Sequence, residues 1–204
     1  MLDQAVVIIG VTVLVLFSPG PDMVIVMKNT ISAGRRGGLL TSAGILTGNL
    51  VHITYCVIGI GLLISQSIVA FSILRYAGAA YLVYLGIATM FAGNTNLEKA
   101  VNKTGATTRG WFLQGFINNV LNPKGTLFYL GVFTMVITPD TTPGVMTILI
   151  FLMMTLCAVF WLFFVATLDH PAVRRRIFRA EKAINAVFGI LLVTLGLRVA
   201  LLER

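Results

Sequence analysis

Ser18-Pro19-Gly20-Pro21-Asp22 interrupts an apolar stretch that begins at Ala5 and resumes as Met23-Val24-Ile25-Val26-Met27 before Lys28. No charge occurs from Ala5 to Phe17, so the flanks read as a membrane span. Each proline removes a backbone donor and crowds the preceding turn, and the glycine between them adds freedom, so the helix is predicted to break here. In lipid a broken helix leaves amides and carbonyls unpaired. That is tolerated only where the backbone is buried in protein or lines a watery cavity. Asp22 points the same way, because a charge inside the bilayer is costly and marks an ion or substrate path.

The rest of the chain fits this reading. Of 204 residues, 57% are hydrophobic and 11% are charged, with a mean hydropathy of +0.94. A soluble domain is about a quarter charged. The composition therefore predicts one polytopic, all-α membrane domain over residues 1–204, with no separate soluble unit. A net charge of +8 would suit nucleic acid only if it decorated a soluble face. Here the basic residues cluster between apolar spans, so no nucleic-acid partner is expected. The N-terminus has no basic region and no small-residue cleavage site, and the first span is expected to be retained. Cys56 and Cys157 lie far apart within apolar runs and form no metal or CxxC spacing. They read as small buried hydrophobes, and no metal or cofactor is expected.

Six segments are long and apolar enough to span: about Ala5–Met27, Leu39–Ile64, Ser72–Ala92, Trp111–Ile137, Val145–Leu168 and Ala183–Leu202. The first connection carries Lys28, Arg35 and Arg36. The third carries Lys99, Lys103 and Arg109, and the fifth Arg174, Arg175, Arg176, Arg179 and Lys182. The second, Ser65 to Phe71, has no charge, and the fourth has only Asp140. Basic residues mark the cytoplasmic side, so the odd-numbered connections face inward and both termini face outward, to the periplasm.

The fourth span also breaks, at Asn122-Pro123-Lys124-Gly125-Thr126, after Gln114 and Asn118-Asn119. Lys124 lies about 20 Å along a helix from Trp111, well inside the bilayer. Interrupted spans at matching places in two halves suggest a 3+3 inverted repeat with broken helices 1 and 4 and a site at its interface. One half covers residues 1 to about 95, the other about 110 to 204. The second span holds Thr47, Asn49 and His52. The last two are three apart and share a helix face. His52 reads equally as a site residue or as an interhelical packing residue. Gly44-Ile45-Leu46-Thr47-Gly48 permits close helix contact, within the chain or across a homodimer. Trp161 and the many phenylalanines read as packed or lipid-facing.

Residues 18–53, SPGPDMVIVMKNTISAGRRGGLLTSAGILTGNLVHI, resemble the N-terminal signature of the LysE/RhtB amino-acid exporters. Residues 112–133, FLQGFINNVLNPKGTLFYLGVF, resemble that family's second signature, and Tyr81 to Gly86 is also similar. The resemblance implies a bacterial inner-membrane exporter of amino acids or their derivatives, driven by the proton gradient. Family substrates include homoserine, threonine, leucine and lysine, so the resemblance does not choose among them. It carries the family's motifs onto Pro19, Gly20, Pro21 and Asp22 and onto Asn122, Pro123 and Lys124.

A zwitterionic amino acid needs one anchor for its carboxylate and another for its ammonium. Lys124, Asn118, Asn119 and freed amides suit the first. Asp22 and freed carbonyls suit the second, with Asn49 and His52 nearby. Asp22 and Lys124 could instead pair with each other as a staple between the halves. Two other functions remain open at this point. One is a thiol–disulfide electron carrier using Cys56 and Cys157, and the other an uncoupled channel.

Overall fold

A computed structural model describes residues 2–18, 20–66, 68–91, 107–138, 140–168 and 171–201. Every regular element among them is helical: α1 (Leu2–Phe17), α2 (Pro21–Gln66), α3 (Ile68–Met90), α4 (Thr108–Val120), α5 (Pro123–Val136), α6 (Pro143–Leu168) and α7 (Pro171–Leu201). The chain is an all-helical membrane protein. α1 with the start of α2 forms the first span, interrupted at 18–20. α4 with α5 forms the fourth, interrupted at Leu121 and Asn122. The outer surface is apolar, with Phe151, Phe163 and Ile73 largely exposed. That suits lipid rather than water.

Three connections differ from the sequence-based expectation. A loop was expected at residues 28–38. Helix instead continues on both sides of one non-helical residue, Gly34, at φ 68° and ψ −168°. Only glycine holds that φ without strain. The chain reverses there, because a Cβ on Gly37 would lie 2.6 Å from the Asn29 carbonyl oxygen and one on Gly38 would lie 2.2 Å from Thr30 Oγ1. The second connection shrinks to Ser67, outside the described residues, because α2 runs through Gln66 and α3 starts at Ile68. The basic stretch from Arg174 to Lys182 lies within α7 rather than in a loop. Alanine, arginine, glutamate and lysine are good helix formers, so the helix that carries the sixth span begins well before Ala183. Lys99 and Lys103 fall outside the described residues.

Small residues set the helix contacts. A Cβ on Gly115 of α4 would meet the Thr41 carbonyl oxygen at 2.0 Å, and one on Gly44 of α2 would meet that of Phe112 at 2.1 Å. The Gly44/Gly48 pair thus serves packing of α2 on α4 within the chain. α3 and α7 meet likewise, each of Gly86 and Gly189 lying against the other's carbonyl oxygen. Helices in lipid gain from such close approach, since burying apolar side chains there gives little. Gly115→Val should therefore destabilise the protein by about 3 kcal/mol or more, the upper range for overpacking. Thermal unfolding in detergent would measure this against Gly59→Val, a site with nothing within 4 Å. Equal melting of the two variants would contradict the α2–α4 contact.

The interior has two large apolar clusters. One joins Ile8 and Val11 of α1 to Ile53, Phe128, Tyr129, Phe133, Leu149 and Met153. The other joins Val26 and Met27 to Ile45, Phe160, Trp161 and Phe164. Both broken segments come together where the clusters meet.

Candidate functional site

Each proline that breaks a span also starts the next helix. Pro21 is the first residue of α2, and the Val24 N–H donates to the Gly20 carbonyl at 3.1 Å. Pro123 is the first residue of α5, where the capping Asn122 side chain accepts from the Lys124 N–H at 3.0 Å. Proline costs little at a first helical position, because its missing donor would have been unpaired anyway. Asp22 and Lys124 thus occupy the same place, the second residue of the second half of a broken span. For Asp22 that is the favourable, positive end of the helix dipole. For Lys124 the same end is unfavourable, so the cation must find acceptors elsewhere.

The acceptors come from the other broken span. The Lys124 ammonium donates to the Ser18 carbonyl at 2.8 Å and to Ser18 Oγ at 3.0 Å. Ser18 follows the last residue of α1, where helix carbonyls carry partial negative charge. Gly20 makes room: a Cβ there would meet Lys124 Nζ at 3.1 Å. In the reverse direction, Asn118 Nδ2 donates to Asp22 Oδ1 at 2.7 Å and Asn119 Nδ2 to Asp22 Oδ2 at 2.9 Å. Each charge is therefore held by the first half-helix of the opposite broken span.

Asn119 is the hub. Its amide also donates to Asn49 Oδ1 at 3.0 Å, and its carbonyl receives His52 Nε2 at 3.0 Å. A carbonyl can only accept, so His52 carries a proton on Nε2. In the neutral ring Nδ1 then accepts from the Tyr55 hydroxyl. His52 is buried and stacks on Tyr129 at 5.6 Å. A Cβ on Gly125 would touch His52 Nε2 at 3.1 Å. His52 thus supports the second break from behind.

A cavity of about 70 Å³ opens between the two breaks. Of the residues expected at the site, Gly20, Asp22, Asn49, Asn119, Asn122 and Lys124 line it. Asn118 touches Asp22 without lining the cavity. Pro21 is exposed and, like His52, does not line it. Pro19 lies outside the described residues, as does the side chain of Pro123. Thr47 is exposed and donates to its own helix at the Ala43 carbonyl. Gln114 accepts from Asn29 Nδ2 at 3.1 Å and is not in the lining. The sequence reads Ser18, Cys157 and Trp161 in other roles, and Thr12 and Tyr129 in none, yet all five share the wall. Cys56 and Cys157 are free and buried. A thiol carrier needs accessible, activated sulfur, and Cys56 is buried outside the cavity lining.

The chain matches the LysE type translocator family over residues 13–203. It is 30% identical to an uncharacterized membrane protein of Bacillus subtilis, over 95% of this chain and 96% of that protein. It is 32% identical to a homoserine/homoserine lactone efflux protein of Salmonella typhi, over 88% of this chain and 87% of the relative. A leucine efflux protein of Salmonella typhimurium is 33% identical over 59% of this chain and 57% of its own length. No solved structure matches.

Proposed function

The chain belongs to the LysE type translocators, and on that premise we propose that it exports amino acids or their derivatives across a bacterial inner membrane in exchange for protons. The observation that carries this reading is the exchange of partners between the breaks. Asp22 of α2 rests on α4, and Lys124 of α5 rests on the end of α1, around one cavity. A zwitterion entering there can offer its ammonium to Asp22 and its carboxylate to Lys124. In doing so it competes with the bonds that join the two broken spans. Occupancy and conformation are then linked, as exchange across a membrane requires. The relatives named for leucine and homoserine efflux favour neutral amino acids over lysine.

The 3+3 repeat, with halves of about 1–95 and 110–204, belongs to this proposal. Pro123 follows Pro21 by almost the same number of residues as Gly189 follows Gly86. Gly86 and Gly189 approach each other closely, as equivalent positions beside a two-fold axis would.

Efflux of labelled amino acids from proteoliposomes under an imposed pH gradient tests the reading. Export of at least one neutral amino acid, accelerated by the gradient, is expected. Movement of none would overturn the exporter, and indifference to the gradient would overturn the coupling. Orientation is tested separately, because it rests only on the basic residues of odd-numbered connections. In a cysteine-free background, Arg175→Cys should label from the cytoplasm and Thr141→Cys from the periplasm. Cytoplasmic labelling of Thr141→Cys would refute outward-facing termini.

A further inference from the structure

The cavity wall contains three buried polar atoms without a partner among the described residues, one of them Oδ1 of Asn119, whose amide nitrogen holds Asp22. Thr12, 1% exposed, has no partner at Oγ1, and Trp161, 5% exposed, has none at Nε1, among the described residues. Both residues line the cavity that holds Asp22 and Lys124. Threonine in a membrane helix normally satisfies its hydroxyl on a carbonyl one turn back. Thr30, Thr41, Thr54, Thr89 and Thr155 all do so here. Thr12 departs from that habit in the wall of the cavity. The indole of Trp161 is gripped by Phe160 at 5.1 Å and Phe164 at 5.8 Å, which hold its ring in place. Buried polar groups are nearly always bonded; others without a partner lie at Asn29, Ser32, Trp111 and Asn185, but Thr12, Trp161 and Asn119 share one cavity wall.

We propose that Thr12 and Trp161 determine specificity by binding an oxygen on the substrate's side chain, so that a hydroxylated amino acid is exported in preference to its aliphatic isostere. The inference rests on the exporter reading and refines it. Trp161 Nε1 can only donate, and Thr12 Oγ1 can donate or accept. A hydroxyl oxygen accepts from the indole while its proton goes to Thr12, which satisfies all three groups. A methyl in the same place leaves both protein atoms unpaired. Sites built to bond a hydroxyl reject the analogue lacking it far more strongly than apolar pockets reject an added hydroxyl.

The test uses the intact protein in proteoliposomes with labelled L-homoserine and labelled L-norvaline, which exchange a hydroxyl for a methyl. Wild type should export homoserine with a kcat/KM at least tenfold above norvaline. Thr12→Val and Trp161→Phe should each cut homoserine efflux about tenfold and raise norvaline efflux, because each removes a group that a methyl leaves unpaired, and the gain also shows that the variants fold. Thr12→Ser, which keeps the hydroxyl, should keep the preference. Equal handling of the two amino acids by wild type would overturn the inference while leaving the exporter standing. So would parallel loss of both substrates in Thr12→Val and Trp161→Phe. Failure of wild type to move any amino acid would sink the exporter reading itself.

Discussion

The Asp22→Asn/Lys124→Gln double variant is expected to reach the membrane in normal amount and to export nothing. The alternative is that the two charges only staple the broken spans together. Under that alternative a single substitution leaves one buried charge without its opposite, at a cost of about 3–5 kcal/mol, and removing both relieves the penalty. The double variant would then recover. The structure gives the neutral pair a way to remain folded, because each charge is also held by uncharged groups. Asp22 receives Asn118 and Asn119, and Lys124 donates to Ser18. Asparagine at 22 and glutamine at 124 can retain some of those bonds. What they cannot do is attract the ammonium and carboxylate of a zwitterion or exchange a proton. Each single variant should lose efflux by about a hundredfold or more, the scale of about 3 kcal/mol. Near-normal efflux in the double variant, with membrane abundance matched, would return the pair to scaffolding.

Much of this site was legible because proline and intramembrane charge are rare and expensive. Pro21 and Pro123 announced the breaks, and Asp22 and Lys124 announced that the breaks face something polar. Asn118 and Asn119 stood out as adjacent amides in an apolar run. Their specific partner, a carboxylate nearly a hundred residues away, did not follow from spacing. Asn49 and His52 share a helix face, as expected, but three residues separate them by about 4.5 Å along the axis. That is enough for one to reach the cavity and the other to pack behind α5. Ser18 marked only the edge of the first break, and Thr12 and Trp161 carried no signal, since hydroxyls and aromatics are common in membrane helices and bury readily. Only tertiary packing reveals that two of them are left without partners. The first connection failed for a different reason. Basic and glycine residues around Gly34 read as a loop, whereas alanine and arginine let helix run to the corner, and one positive φ turns it.

The Asn119→Asp variant should be as damaging as loss of Asp22 itself, and the exchange Asp22→Asn/Asn119→Asp should recover part of what it destroys. Asn119 of α4 lies against both limbs of α2 on either side of Gly34: its amide binds Asp22 and Asn49, and its carbonyl meets His52. A carboxylate at 119 would face Asp22 across what is now a 2.9 Å hydrogen bond. Two carboxylates at that separation cannot both ionise, so one takes a proton or the spans part. It would also present acceptors to Asn49 Oδ1, itself an acceptor, which forces that amide to turn. The backbone contact with His52 is untouched, so local folding has support while the charge pattern is wrong. Moving the carboxylate from 22 to 119 restores one charge and one amide to the same contact. The exchange therefore separates charge count from residue identity. Efflux at neutral pH is expected to fall about a hundredfold or more in Asn119→Asp, and to return to about a tenth of wild type in the exchange, both with membrane abundance matched. Full activity of Asn119→Asp alone would show that the amide at 119 does not hold Asp22 for transport. No recovery in a well-folded exchange variant would show that the carboxylate must sit on α2, at the positive end of its helix, and not merely within the contact.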